Sequence, residues 1–318
     1  MRLAQRAGTA LVALAVAALP FVAGSPAQAA APTAGVFPCL LDPQHDPAPL
    51  WRQHEDTAPV TATDLAAMPA EETTRTFVAR EVSPQLAATV TIPVYVHVIK
   101  GTRPGERSTA GPRRVRRIIA TLNGGFAGQQ SALAAPTRYQ FELRRIDYTR
   151  REGWYHAFLN GPRDKRMKRA LHRGHSRSLN LYINGGGPRG FPILGWARFP
   201  WQYAHAHRLD GVTVNVAGLP GGQAYGYNLG DTVVHETGHW MGLFHTFQGG
   251  CGPRNDLVYD TPAEAEPSFY CETTRDSCLS PGLDPVHNFM DYSLDACMNS
   301  FTAGQVRRMD SAFARWRK

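Results

Sequence analysis

Residues 235–245 read His-Glu-Thr-Gly-His-Trp-Met-Gly-Leu-Phe-His. His235 and His239 are four apart. On a helix of 3.6 residues per turn they leave one face a single turn apart, so two imidazoles can hold one ion. Glu236 is rotated about 100° from His235, which lets its carboxylate reach an ion-bound water without ligating the ion. Gly242 can adopt the left-handed backbone that ends a helix and turns the chain sharply, and that turn brings His245 back as a third ligand. Three neutral imidazoles with an open fourth position describe a catalytic zinc site rather than a closed structural one. A bare H-E-x-x-H is only suggestive, but the glycine and third histidine at fixed offsets make coincidence improbable. Three buried imidazoles without a metal would be polar rings short of partners. The preceding Asn228-Leu229-Gly230-Asp231-Thr232-Val233-Val234 supplies a capped, apolar helix start.

Downstream, Asn288-Phe289-Met290-Asp291-Tyr292 follows His245, with Met290 45 residues beyond it. The extended zinc pattern with a distal methionine is the metzincin signature. Met290 is expected to form an apolar turn beneath the metal, and Tyr292 to bring its phenol near it. Further pieces share the likeness: Gln248-Gly249-Gly250-Cys251, Asp260-Thr261-Pro262-Ala263-Glu264, Pro281-Gly282-Leu283-Asp284-Pro285 and Phe301-Thr302-Ala303-Gly304-Gln305-Val306. So do Leu194-Gly195-Trp196-Ala197, Asp210-Gly211-Val212 and Asn228-Leu229-Gly230-Asp231 upstream. Together they resemble the secreted microbial branch of the pappalysin family of metzincin peptidases, over roughly residues 90–310.

That resemblance implies an α/β (α+β) fold: a twisted mixed sheet with two long helices above, and a smaller irregular, disulfide-linked subdomain below. The second helix would carry His235, Glu236 and His239. It implies disulfides Cys251–Cys278 and Cys271–Cys297, although spacing alone leaves all three pairings of four cysteines open. It also implies calcium in the loop bearing Asp256, Asp260, Thr261 and Glu264, whose hard oxygen ligands suit that ion. The expected activity is zinc-assisted peptide hydrolysis, with Glu236 as general base and then acid, and Tyr292 as oxyanion donor. The alternative is an extracellular zinc-bearing module without activity.

The remaining sequence frames this segment. Thr91–Ile99 reads as a strand. A helix from Pro112 to about Gln130 has Val115, Ile118, Ile119, Leu122 and Phe126 on one face. Strands are expected at Tyr139–Asp147, Leu179–Ile183, Leu194–Phe199 and Val212–Val216, and a helix at Asp164–Gly174. Hydrophobic residues make up 43% of the 318, enough for a core, so the chain is not disordered as a whole.

At the N-terminus, Arg2 and Arg6 precede an apolar run from Leu11 to Ala23 and an Ala27-Gln28-Ala29 cleavage site. Residues 1–29 therefore read as a secretory signal peptide. Residues 30–88 are an acidic leader or pro-segment, with eight acids against three arginines and a possible short helix between Asp64 and Arg80. Residues 89–318 form the catalytic region, divided near 242 and 243. That region carries 29 bases and 18 acids, net +11 of the whole chain's +8. Such charge raises nucleic acid as a partner, but no nucleic-acid motif is present and the chain reads as exported. The expected partners are protein or peptide substrates, with no nucleic acid, no membrane after signal removal, and a monomeric state. Cys39 stands apart from the other four cysteines. Its thiolate suits the open zinc position and could keep a precursor latent.

Overall fold

The computed structural model describes residues 88–106, 110–188 and 193–318. The candidate signal peptide, the leader up to residue 87 with its possible helix, and Cys39 lie outside the described residues. In chain order the elements are β1 (Val90–Lys100), α1 (Pro112–Phe126), β2 (Tyr139–Arg150), one-turn α2 (Glu152–Tyr155), α3 (Pro162–Leu171), β3 (Leu179–Asn184) and β4 (Gly195–Ala197). One-turn α4 (Tyr203–Ala206), β5 (Val212–Asn215), α5 (Asp231–Trp240) and α6 (Ala303–Trp316) complete them.

The five strands form one mixed sheet in the order β2-β1-β3-β5-β4. β2, β1, β3 and β5 run parallel, and β4 closes one edge antiparallel to β5. β1 lies inside the sheet between β2 and β3, and its near-continuous apolar run suits a parallel strand covered on both faces. Pro93 is tolerated there because the β3 pairing begins only at Val94. Side chains alternate with period two. Ile92, Val94, Val96 and Val98 join Val115, Ile118, Leu122 and Phe126 of α1 and Val233 and Val234 of α5 in the main core. Ile99 and Tyr182 turn to the other face and meet Trp154, Tyr155 and Met167 of α2 and α3.

α1 ends at Phe126, short of the expected Gln130, because the chain turns through Gly128 at φ +67°. Its apolar face is the expected one. Of the basic residues on it, Arg113, Arg116 and Arg117 are exposed, while Arg114 donates to the carbonyls of Val216, Leu219 and Pro220. α1 and α5 cross closely at Gly125, where a Cβ would sit 2.8 Å from Val234 Cγ1.

After α5 the chain is irregular to residue 302 and carries two disulfides, Cys251–Cys278 and Cys271–Cys297. The stretch expected to be irregular nevertheless ends in α6, a helix of 14 residues. A capping box starts it: Thr302 Oγ1 accepts from Gln305 N, and Gln305 Oε1 accepts from Thr302 N. Met309 and Phe313 of α6 reach the same core as the sheet. The two parts of the chain are therefore sewn together. No helix among the described residues is long and apolar enough to cross a membrane.

Candidate metal centre

α5 is wholly buried. Its start is not capped from within as the sequence suggests. Gly230 stands at the N-cap with φ +106° and no side-chain bond. The cap comes from Asp295, whose Oδ2 accepts from Leu229 N at 2.8 Å, Gly230 N at 3.0 Å and Asp231 N at 3.4 Å. This anionic group satisfies orphan donors at the positive end of the helix. At the other end, Leu243 N reaches back to Gly238 O at 2.9 Å while Gly242 takes φ +103°. This is a Schellman stop, for which Gly242 is required.

That turn brings three imidazoles together. His239 Nε2 lies 3.1 Å from His235 Nε2 and 3.0 Å from His245 Nε2. His235 Nδ1 donates to Phe289 O at 2.6 Å, and His239 Nδ1 donates to Leu243 O at 2.8 Å. Carbonyls only accept, so both rings carry their proton on Nδ1 and point Nε2 lone pairs at one another. Lone pairs at such spacing need a cation between them. Nitrogens at 2.0–2.1 Å from a tetrahedral ion stand about 3.3 Å apart, close to the spacings found. The backbone carbonyls set ring orientation, as they do at zinc sites.

Among the described residues two other clusters have metal-ligand spacing. One contains Cys271 and Cys297, which are joined in a disulfide. The other, Glu106, Glu152 and His156, is partly exposed and knit to Thr102. Only the three-histidine cluster is fully buried.

Met290 lies under α5, where a Cβ on Gly238 would be 2.4 Å from its sulfur. Its turn does more than fill space. Phe289 O holds His235, and Met290 O accepts from Thr246 N at 3.1 Å beside His245. The turn is itself fixed by Asn288 and Gln305, whose amides exchange two hydrogen bonds of 2.9 Å. The Tyr292 ring stands 4.9 Å from the His245 ring and 5.8 Å from that of His235, centre to centre.

Glu236 is buried and faces a cleft lined by Leu194, Gly195, His235, Tyr292 and Phe269. Gly195 on edge strand β4 is essential to this fit, because a Cβ there would be 2.6 Å from Glu236 Oε1. Gly195, Asp295 and Asn288 therefore belong to the site's architecture. The capping role of Asp295 spans the two parts of the chain and left no local trace.

Two of the four residues expected at calcium have protein partners of their own. Asp260 caps α6, accepting from Thr302 Oγ1 at 2.7 Å and Gly304 N at 2.8 Å. Glu264 accepts from Arg275 Nη1 and Thr246 Oγ1, both at 2.7 Å, and burial pushes its carboxyl up to about 8. Asp256 and Thr261 do meet. Asp256 is fully buried, and burial pushes it up to about 8.

Known proteins resemble this chain closely. The profile of the peptidase family described as Pregnancy-associated plasma protein-A matches residues 164–314. An extracellular metalloprotease of Pyricularia oryzae is 42% identical over 230 residues, covering 72% of this chain and 76% of that one. An extracellular metalloprotease of Neurospora crassa is 40% identical over 242 residues, covering 72% and 77%. Among solved structures, mature mirolysin of Tannerella forsythia in complex with a cleaved peptide matches at 28% identity with a TM-score of 0.60, covering 71% of this chain and 92% of its own. The precursor form, promirolysin, matches with the same score at 27% identity.

Proposed function

The chain belongs to the Pregnancy-associated plasma protein-A family of metallopeptidases, and from that membership we propose how its own residues cut a peptide. It is a zinc metalloendopeptidase. The observation that carries the residue-level reading is the convergence of three imidazole Nε2 atoms, one of them on His235, which lines a cleft together with Glu236.

His235, His239 and His245 hold the zinc. When bound, zinc polarises the scissile carbonyl and lowers the pKa of water to about 7 from 15.7. Glu236 takes a proton from the attacking water and returns it to the leaving amine. Tyr292 donates a hydrogen bond to the oxyanion that develops on the carbonyl. β4 is the sheet edge next to this cleft, and an extended substrate adds to it as a further strand. The substrate is a protein or peptide and the working unit is a monomer.

The test is mass spectrometry of a mixed proteome digested by the purified protein. New peptide ends should appear, vanish with a chelator and return with zinc. Digestion indifferent to the chelator, or none after zinc is restored, would refute the reading.

Three finer proposals accompany it. Secretion through residues 1–29 is supported by the naming of the relatives as extracellular. It predicts that the secreted precursor begins after Ala29. Latency through Cys39 is supported by the existence of a precursor form of mirolysin. Cys39→Ala should then speed activation of the secreted precursor, and an unchanged rate would end the idea. Calcium is supported at Asp256 and Thr261, where Asp256 Oδ2, Thr261 Oγ1 and Asn255 Oδ1 are buried without a hydrogen bond of good geometry. Leu257 beside them is strained at φ +63°. Calcium should raise the melting temperature of the zinc-loaded protein, and the rise should disappear in Asp256→Asn.

A further inference from the structure

Three carbonyls at the end of the ligand helix and in the turn after it are taken by side chains. Trp240 O accepts from Arg317 Nη2 at 2.9 Å, Gly242 O accepts from Arg308 Nε at 2.8 Å, and Leu243 O accepts from His239 Nδ1 at 2.8 Å. Two of these donors come from α6 or from the residue that follows it. Arg317 is fully buried. Its Nη1 meets Asp210 Oδ2 at 2.7 Å, and its guanidinium lies 3.8 Å over the Trp240 ring. Asp210 Oδ2 also accepts from Trp240 Nε1 at 2.9 Å, so arginine, carboxylate and indole form a closed triangle. The Arg308 guanidinium lies 4.7 Å over Phe244. Gly242 rests so near α6 that a Cβ on it would be 2.8 Å from Ala312 Cβ.

We propose that Arg308 and Arg317 are positioning residues for the metal centre. Residues 240–244 join the second ligand, His239, to the third, His245. The Schellman bonds satisfy Gly238 O and His239 O but leave the carbonyls of Trp240 and Gly242 without helical partners. Gly242 is the most permissive residue in the segment. Left alone, the turn would sample several directions, and Leu243 O would not stay aimed at His239 Nδ1. The two arginines fix the carbonyls on either side of that freedom. The planar fork of Arg317 bonds Asp210 and Trp240 O at once, which a lysine ammonium at the end of a flexible stem does not reproduce. Burying this pair carries a desolvation cost that its hydrogen bonds offset. Sequence distance hid the arrangement, because Arg317 lies 77 residues from the carbonyl it holds.

The proposal rests on the reading of the three imidazoles as a zinc site, and its test separates the two. Zinc affinity by chelator competition and the visible spectrum of the cobalt-substituted protein are measured for the parent, Arg317→Met, Arg317→Lys and Arg308→Met. Arg138→Met serves as control. It removes the ion pair of 3.0 Å that ties α6 to the start of β2 at Asp310, without touching the turn. The parent should bind one zinc. The Arg317 and Arg308 variants should fold by circular dichroism yet bind zinc about ten- to hundredfold more weakly, the range usual for loss of such a partner. Their cobalt spectra should shift, including that of Arg317→Lys. The control should lose thermal stability with affinity and spectrum unchanged. Parental affinity and spectrum in the arginine variants, whatever their melting temperature, would overturn the proposal. Should Arg317→Met fail to fold, Arg308→Met and Arg317→Lys decide. A parent that binds no zinc would instead bring down the reading of the three imidazoles.

Discussion

At the scale of single residues, the site depends on two atoms being absent. Gly238 lacks a Cβ and so admits the Met290 sulfur beneath the ligand helix, and Gly195 lacks one and so admits the Glu236 carboxylate beside β4. Gly195→Ala should push Glu236 away from its place without touching the imidazoles. Misplacing a catalytic group by about 1 Å costs on the order of a hundredfold in rate. The expected variant retains zinc and loses about that much in kcat; a parental kcat would show that Glu236 does not act from this position. Tyr292→Phe removes only the phenolic hydrogen bond. Losing one oxyanion donor costs about 10²–10³ in kcat, so a variant with parental kcat would remove Tyr292 from the mechanism.

At the scale of elements, α5 is held at both ends by residues distant in sequence: Asp295 at its start, Arg317 at its finish. The start carries a second buried carboxyl. Burial, and then the charge of Asp295, pushes Asp231 up to about 7, while burial pushes Asp295 up to about 6 against the hydrogen bonds it accepts. Both values lie above those of an unfolded aspartate. The stabilising contribution of these groups is therefore complete below about pH 4 and is lost as pH rises through about 6 to 7. Asp231→Asn needs no proton. Its melting temperature should gain on the parent steadily from pH 4 to 7 and stay level above, by roughly ten degrees, at about 1.4 kcal/mol per pKa unit and about 2–4 °C per kcal/mol for a domain this size. A difference independent of pH would mean that Asp231 is not protonated in the folded protein. Among the described residues, α6 is the one long helix that the sequence pattern did not announce. Its signals were present in the Thr302–Gln305 capping box and in the spacing of Val306, Met309 and Phe313. The crowding of cysteines and glycines before it concealed them.

At the scale of the whole molecule, legibility follows sequence distance. The three imidazoles and Glu236 were legible because helix geometry and one glycine turn bring them together within eleven residues. The sheet was legible from its apolar, β-branched runs, with limits off by a few residues at most. The remote supports were not, since Asp295, Arg308 and Arg317 act across folded space and resemble ordinary polar residues in the chain. In the calcium set, the partners that Asp260 and Glu264 take, Thr302 and Arg275, left no mark beside them in the sequence. The basic charge of the catalytic region, which first suggested nucleic acid, is partly absorbed by such internal work. Arg114, Arg308 and Arg317 all spend their donors on backbone carbonyls. These supports serve one claim: three imidazoles hold a single zinc ion while Glu236 moves the proton. The most direct test is Glu236→Gln measured for zinc content and peptide hydrolysis together. The account predicts one zinc per chain, as in the parent, with hydrolysis abolished; a zinc-loaded variant that cleaves peptides at the parental rate would contradict it.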